Sequence, residues 1–340
     1  MKMKNGVTMA DIADALGVSK VTVSNALAGR AGVSQELREK IKQTAIRMGY
    51  MVKQSSESSG YSVGVIVSGK YVERGESYYW EIYWELASVL KSRGAAVVFE
   101  MIKVEDERKK NVPLCLNNGK CDAVIILGPL GNSYLELIKD SFEIPMVLLD
   151  SYSDRLMIDA VISSGYYGMY RMTEYLIRKG HVKIGYVGSI LESSSIMDRY
   201  HGYCKALQEN KIPIREDWIL EDRDIETGEI EIGKLPEEMP SAFACNCDFI
   251  ANELIKKLIE NGYRVPEDIS IVGYDNYSKN KYYNIGITSY DINIHLMAVK
   301  AVDRILDKLA GARDDGDDLQ VISGKLIEKD SVKEKKSETV

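Results

Sequence analysis

Ser19, Lys20, Thr22, Ser24 and Asn25 follow a short apolar segment that ends at Gly17, and their types suit contact with a polyanion. Ser and Thr hydroxyls at a helix start add donors to the positive end of the helix dipole, which favours phosphate oxygens. Lys20 and Asn25 are long or bidentate enough for base edges, Lys toward guanine and Asn toward adenine. Small residues at that end let a helix backbone approach the floor of a major groove.

Three short helices must position these groups. Thr8 with Asp11 makes a start resembling a capping box, and Ile12, Ala13 and Leu16 form an apolar stripe before Gly17. Ser19 caps a second helix whose Val21, Val23, Ala26 and Leu27 supply apolar contacts. Ser34 caps a third, with Leu37, Ile41, Ala45 and Met48 at three- and four-residue steps. A packed three-helix adaptor without DNA shares these caps and this turn, so charge decides between the readings. The 340-residue chain carries a net −7, yet residues 1–54 hold nine basic and four acidic side chains. That balance of +5 leaves −12 on the remainder, a basic head on an acidic body.

Other classes fall away on composition. No apolar run approaches the roughly 20 residues that span a bilayer, and no secretory signal is visible, so a cytoplasmic location without membrane contact is expected. The five cysteines are odd in number and scattered, which fits reduced thiols. Cys245 and Cys247 have no histidine nearby to complete a metal set, so neither a metal nor a cofactor is expected.

Residues 55–60 are small and polar, with nothing to bury, and read as a linker. Beyond them, buried-strand runs at 62–67, 95–101, 123–127, 145–150, 183–187, 242–245 and 269–274 alternate with amphipathic segments. Those segments lie at 79–93, 132–140, 166–179, 197–210, 248–262 and 293–310. The rhythm predicts an α/β fold of parallel sheets covered by helices, in two Rossmann-like lobes after an all-α helix-turn-helix domain. Ligands in such folds bind where the loops gather at the carboxyl ends of the strands. Residues 328–340 read as a polar, frayed tail.

Residues 7–29, then Val33-Ser34 and Arg38, resemble the head of LacI/GalR-family transcriptional regulators, with turn, caps and the Thr22-Val23-Ser24 run in register. Residues 144–150, 180–188, 198–207 and 265–275 are similar to further segments of that family. The resemblance implies a DNA-binding set of Thr8, Ser19, Lys20, Val21, Thr22, Ser24, Asn25, Val33 and Ser34. Many members carry Arg where this chain has Asn25, which implies a different base preference. It also implies a periplasmic-binding-protein-like body at 61–327, with an N-lobe near 61–163 and 292–320 and a C-lobe near 164–290 and 321–327.

The family's effector contacts fall on Tyr78, Tyr79, Arg199, Asp248 and Asp275. Arg199 and Asp275 would meet ligand hydroxyls, and one of the two tyrosines would face the cleft while the other packs. For Asp248, helix capping is an equal alternative. Glu76, Cys247 and Ser164-Gly165 depart from the common pattern, so a larger glycoside, a sugar phosphate or a nucleobase stands beside a hexose. Residues 50–60 lack the family's Pro-Asn, Ala-Arg and Leu hinge signature, and no Leu-wedge hinge helix is expected.

The expected function is a repressor on a pseudo-palindromic operator, a homodimer through the helices at 79–93 and 293–310, controlled by a carbohydrate effector. The alternative is a solute-binding protein of a sugar transport system, which requires export. An enzyme is not expected. Gly228, Gly233 and Lys234 have P-loop-like spacing, but Leu235 stands where Ser or Thr must hold Mg²⁺. His181, His201 and His295 suggest no triad.

Overall fold

The computed structural model describes residues 9–27, 34, 37, 40–41, 44, 60–72, 78–117, 119–224, 228–277, 282–312 and 318–335. Thr8, Val33, Glu76 and linker residues 55–59 lie outside them, as do the side chains of Val21, Ser24 and Asn25. The chain divides into two units, Met1–Gly60 and Tyr61–Val340.

In the first unit, helix α1 (Met9–Leu16) stops at Gly17, whose φ of +64° suits a residue without Cβ, and helix α2 (Lys20–Leu27) follows. Ser19 caps α2, its Oγ accepting the Thr22 amide at 3.0 Å. Ile12, Ala13, Val23, Ala26 and Ile41 form a small buried core.

The second unit holds two six-stranded sheets. The first contains β1 (Ser62–Ser68), β2 (Ala96–Ile102), β3 (Ala123–Leu127), β4 (Met146–Leu149), β5 (Asp159–Ser163) and β11 (Leu319–Ile322), ordered β11-β5-β4-β3-β1-β2. Every pairing in it is parallel. The second contains β6 (Ile184–Val187), β7 (Ile219–Leu220), β8 (Ala242–Cys245), β9 (Ser270–Asp275), β10 (Thr288–Asp291) and β12 (Lys325–Ile327), ordered β12-β10-β9-β8-β6-β7. Only β12 runs antiparallel to its neighbour. Strands covered on both faces must be apolar throughout, and β3, AVIIL, is buried at all five positions.

Helices α3 (Tyr78–Ser92), α4 (Asn132–Ser141), α5 (Gly165–Arg178), α6 (Ser194–Glu209), α7 (Asp248–Glu260) and α8 (Ile294–Leu309) cover the sheets. In α8, Asn293 Oδ1 caps the Leu296 amide at 2.9 Å, and Met297, Ala298, Ala301, Val302 and Ile305 face β3, β4 and β5. Each large apolar side chain buried there contributes about 1.5–3 kcal/mol. Lys308 and Arg304, on the same buried side, approach Asp159 at 3.2 and 3.9 Å, which meets the cost of burying their charge.

The α/β architecture agrees with the sequence reading, and the chain passes between the sheets after β5, β10 and β11. The C-terminal segment differs. Residues 328–335 are not frayed: Ser331 is fully buried, its Oγ donates to Ile271 O, and Lys335 N donates to Lys179 O at 2.8 Å. Backbone pairing, which hydropathy does not register, holds this polar segment.

Candidate DNA-reading face and effector cleft

On the head, Ser19 and Lys20 are exposed and Thr22 is half-buried. Ser19 Oγ lies 2.8 Å from Thr22 Oγ1 as well as capping α2, so the two hydroxyls form one unit at the helix start. Ser34 Oγ accepts the Leu37 amide at 3.4 Å, the cap expected of it.

In the larger unit a cavity of about 180 Å³ lies between the two sheets at their carboxyl ends. Tyr78, Tyr79, Arg199 and Asp275 all line it. Asp248 does not. It is fully buried at the first turn of α7, with Oδ1 accepting the Ser289 hydroxyl at 2.7 Å. Burial, then the neighbouring Asp275, pushes its carboxyl well above the usual range. Asp248 therefore supports the cleft floor from behind, and neither expected role describes it; Cys247 occupies the cap position.

Arg199 is set by α6, on the face turned to the cavity. Its guanidinium carbon sits 4.2 Å from the centre of the Tyr274 ring, and Nη1 donates to Asn246 O at 3.0 Å. Burial works against the cation, but the Tyr274 ring, Asp150 and Asp275 hold it charged. Its Nε is buried with no hydrogen-bond partner.

Two carboxylates face this cation. Asp150 directly follows β4 and Asp275 ends β9, and both adopt left-handed backbone, φ +62° and +87°. Such backbone costs energy in any residue with a Cβ, least in Asp and Asn, and is held in place at sites of function. Burial raises both carboxyls, Asp150 to about 6 and Asp275 to about 7, against the opposing pull of Arg199. Asp275 Oδ1 also accepts the Tyr277 amide at 2.9 Å.

Both tyrosines face the cavity rather than dividing the work. Tyr79 hydrogen-bonds Asp150, and its ring lies where a Cβ on Gly128 would come within 2.8 Å, so β3 must end in glycine (φ +76°). Tyr78 has a buried hydroxyl without a partner and meets Tyr277 edge-on at 6.0 Å. Of the other rings on α3, Trp80 and Tyr83 pack on Phe99, while Trp84 is 67 % exposed.

Several lining residues were not singled out from sequence. Asp150 had a legible signal, an acid directly after a buried strand. Lys70, Tyr71, Glu192 and Arg223 had none. Glu192, from the second lobe, receives Lys70 Nζ at 2.8 Å and the Tyr71 hydroxyl at 3.0 Å, both from the first lobe, which closes the cleft mouth. Arg223 is held bidentate by Asp222 at 3.0 and 2.7 Å, and Asp222 also accepts Asn246 Nδ2 at 2.6 Å.

Among the described residues no helix is long and apolar enough to cross a membrane, and no group of three or more His, Cys, Asp or Glu could hold a metal ion.

Residues 8–52 match the bacterial regulatory proteins of the lacI family, and residues 173–332 match the periplasmic binding protein-like domain. A curated relative, the HTH-type transcriptional repressor PurR of Actinobacillus pleuropneumoniae serotype 3 (strain JL03), is 27% identical over 310 residues. The match covers 89% of this chain and 91% of the relative. Among solved structures, a transcriptional regulator CelR–cellobiose complex is similar with a TM-score of 0.68 and 21% identity, over 96% of this chain and 99% of that one. The lac repressor dimer bound to operator and the anti-inducer ONPF aligns with a TM-score of 0.65 and 24% identity, over 97% and 100%.

Proposed function

The chain belongs to the LacI/GalR family of transcriptional regulators, and on that premise we propose that it is a repressor whose operator affinity is set by a small ligand in the cleft. The observation that carries the effector half is the Arg199 guanidinium with an unpartnered Nε between two buried carboxyls, Asp150 and Asp275. Such an array of one fork donor and two acceptors suits adjacent hydroxyls, and Tyr78 and Tyr79 offer flat faces to the apolar side of a ring.

Cavity size narrows the ligand. Pockets for drug-sized molecules span roughly 300–1,000 Å³, so about 180 Å³ in the closed cleft favours a single ring over a disaccharide. Charge narrows it further. Lys70 is engaged by Glu192 and Arg223 by Asp222, so a phosphate would face Asp150 and Asp275 with Arg199 as its main cation. The reading is an uncharged monosaccharide or close derivative.

Ligand contact with both lobes, Asp150 and Tyr79 on one side and Arg199 and Asp275 on the other, couples occupancy to lobe closure. In a homodimer joined through α3 and α8, closure shifts one first lobe against the other and alters the spacing of the two heads. Lys20 and the Ser19–Thr22 start of α2 then meet, or fail to meet, two half-sites of a pseudo-palindromic operator. A solute-binding protein shares the two lobes but has no use for a lacI-type head. Thermal-shift screening of the full chain against monosaccharides, their phosphates, disaccharides and nucleobases tests the ligand class. A rise in melting temperature with a monosaccharide is expected; a rise with only a phosphate or a nucleobase overturns it.

A further inference from the structure

At the amino-terminal edge of the first sheet, away from the cleft, two cysteines meet across Gly64. A Cβ built on Gly64 would lie 3.2 Å from Cys121 Sγ and 3.6 Å from Cys115 Sγ. Glycine in the interior of a buried parallel strand forgoes the packing that Val or Ile would give. Here the space it leaves is filled by the two sulfurs. Both cysteines belong to one buried cluster with Val124.

The surroundings form a chain of polar groups. Ser62 neighbours the Cys121 thiol and Glu100 the Cys115 thiol. Glu100 also accepts the amides of Leu114 and Cys115, both at 2.7 Å, which caps the single helical turn Leu114–Asn117. That turn covers the sulfurs. Leu114 is 68 % exposed, and the cysteines themselves are 4 % and 7 % exposed, so they lie one thin layer below solvent. Gly119, with φ +59° and open space where a Cβ would stand, lies between the two cysteines in the sequence.

We propose that Cys115 and Cys121 are a redox-modification site that closes to an intramolecular disulfide under hydrogen peroxide. Cys121, as its thiolate, attacks one peroxide oxygen; the O–O bond breaks, the departing hydroxide takes up the thiol's proton as water, and a sulfenic acid forms on Cys121. Cys115 loses its proton to solvent and attacks the sulfenic sulfur. The S–S bond forms, the S–O bond breaks, and the departing hydroxide takes a proton as water. Two thiols and one peroxide give one disulfide and two waters, with two electrons passing from sulfur to oxygen. Burial raises both thiols, so the thiolate is scarce at neutral pH and the rate climbs with pH. No part of this depends on the reading of the cleft.

The test uses the full chain, folded and in urea, titrated with hydrogen peroxide, blocked with iodoacetamide and digested without reduction. The expected product in the folded protein is a peptide cross-linked through Cys115 and Cys121, reversed by dithiothreitol and formed before Cys204 or Cys245 reacts. Its yield should exceed that of the urea-unfolded chain several-fold, because folding and not sequence proximity brings the sulfurs together. Gly64→Ala, which displaces the sulfurs, should slow closure, and Cys121→Ser should leave Cys115 alkylatable. Equal yields in folded and unfolded chain overturn the proposal. So does recovery of both cysteines alkylated, or as sulfinic acid, from folded protein.

Discussion

The Arg199 guanidinium lies against the face of Tyr274, 4.2 Å from the ring centre, and Tyr274 in turn donates its hydroxyl to Ser163 Oγ at 3.1 Å. The chief cation of the cleft is thus oriented by the residue before Asp275 and tied to the end of β5, where the chain passes between lobes. Arg199→Lys keeps the charge and loses the planar fork. Hydrogen bonds to charged groups are worth about 1.5–3 kcal/mol, so ligand affinity should fall about 100-fold with the melting temperature of the free protein little changed. Calorimetric titration of the two proteins measures it, and equal affinities remove Arg199 from the site.

The two raised carboxyls make stability depend on pH. Asp150 and Asp275 hold protons in the folded, ligand-free domain up to about pH 6 and 7, whereas in the unfolded chain they release them near pH 4. The folded state therefore binds more protons across that window, and their contribution to stability is lost as pH rises through it. Asp275→Asn tolerates left-handed backbone and carries no such penalty. Thermal melts should show the variant gaining on the natural protein from pH 5 to pH 8, while it loses ligand response. Parallel melting curves across that range contradict the burial of an ionised Asp275.

Glu192 joins Lys70 and Tyr71 across the cleft mouth, with its side chain only 2 % exposed. Glu192→Ala removes both cross-lobe contacts. Small-angle scattering should then report a larger radius for the ligand-free protein, and ligand affinity should drop about tenfold, or about 1.4 kcal/mol. No change in either places closure elsewhere.

Lys20 stands exposed at the start of α2, beside the Ser19–Thr22 pair. Replacing it with Ala should weaken operator binding and, if it meets phosphate, lower the slope of log K against log salt by about 1 per protomer. A loss of sequence discrimination with an unchanged slope instead assigns Lys20 to a base edge.

Where apolar runs decide structure, the sequence was legible: the seven predicted strands and six large helices are present within a few residues. β5, β7, β10, β11 and β12 were not foreseen, and β7 spans only two residues. β12 is exposed or half-buried throughout, and β11 leaves Leu319 and Val321 to solvent, so neither carries a burial pattern. β5 opens on Asp159, whose charge is met by Arg304 and Lys308 about 150 residues onward. In the cleft, Arg199 and Asp275 were legible because motifs hold them after or beyond strands. Glu192 and Arg223 sit on loops, and only the closed arrangement of lobes brings them to the ligand space. Asp248 shows the reverse, a motif acid drawn beneath the floor by Ser289.

Fluorescence polarisation of an operator fragment, selected from genomic DNA at low salt with the full chain, tests the central claim most directly when titrated with the monosaccharide found by thermal shift. Operator affinity should change at least tenfold with ligand in the natural protein, and in Arg199→Lys only at about 100-fold higher ligand concentration. Failure to retain any fragment at low salt, or an operator affinity indifferent to the cleft ligand, contradicts a ligand-controlled repressor.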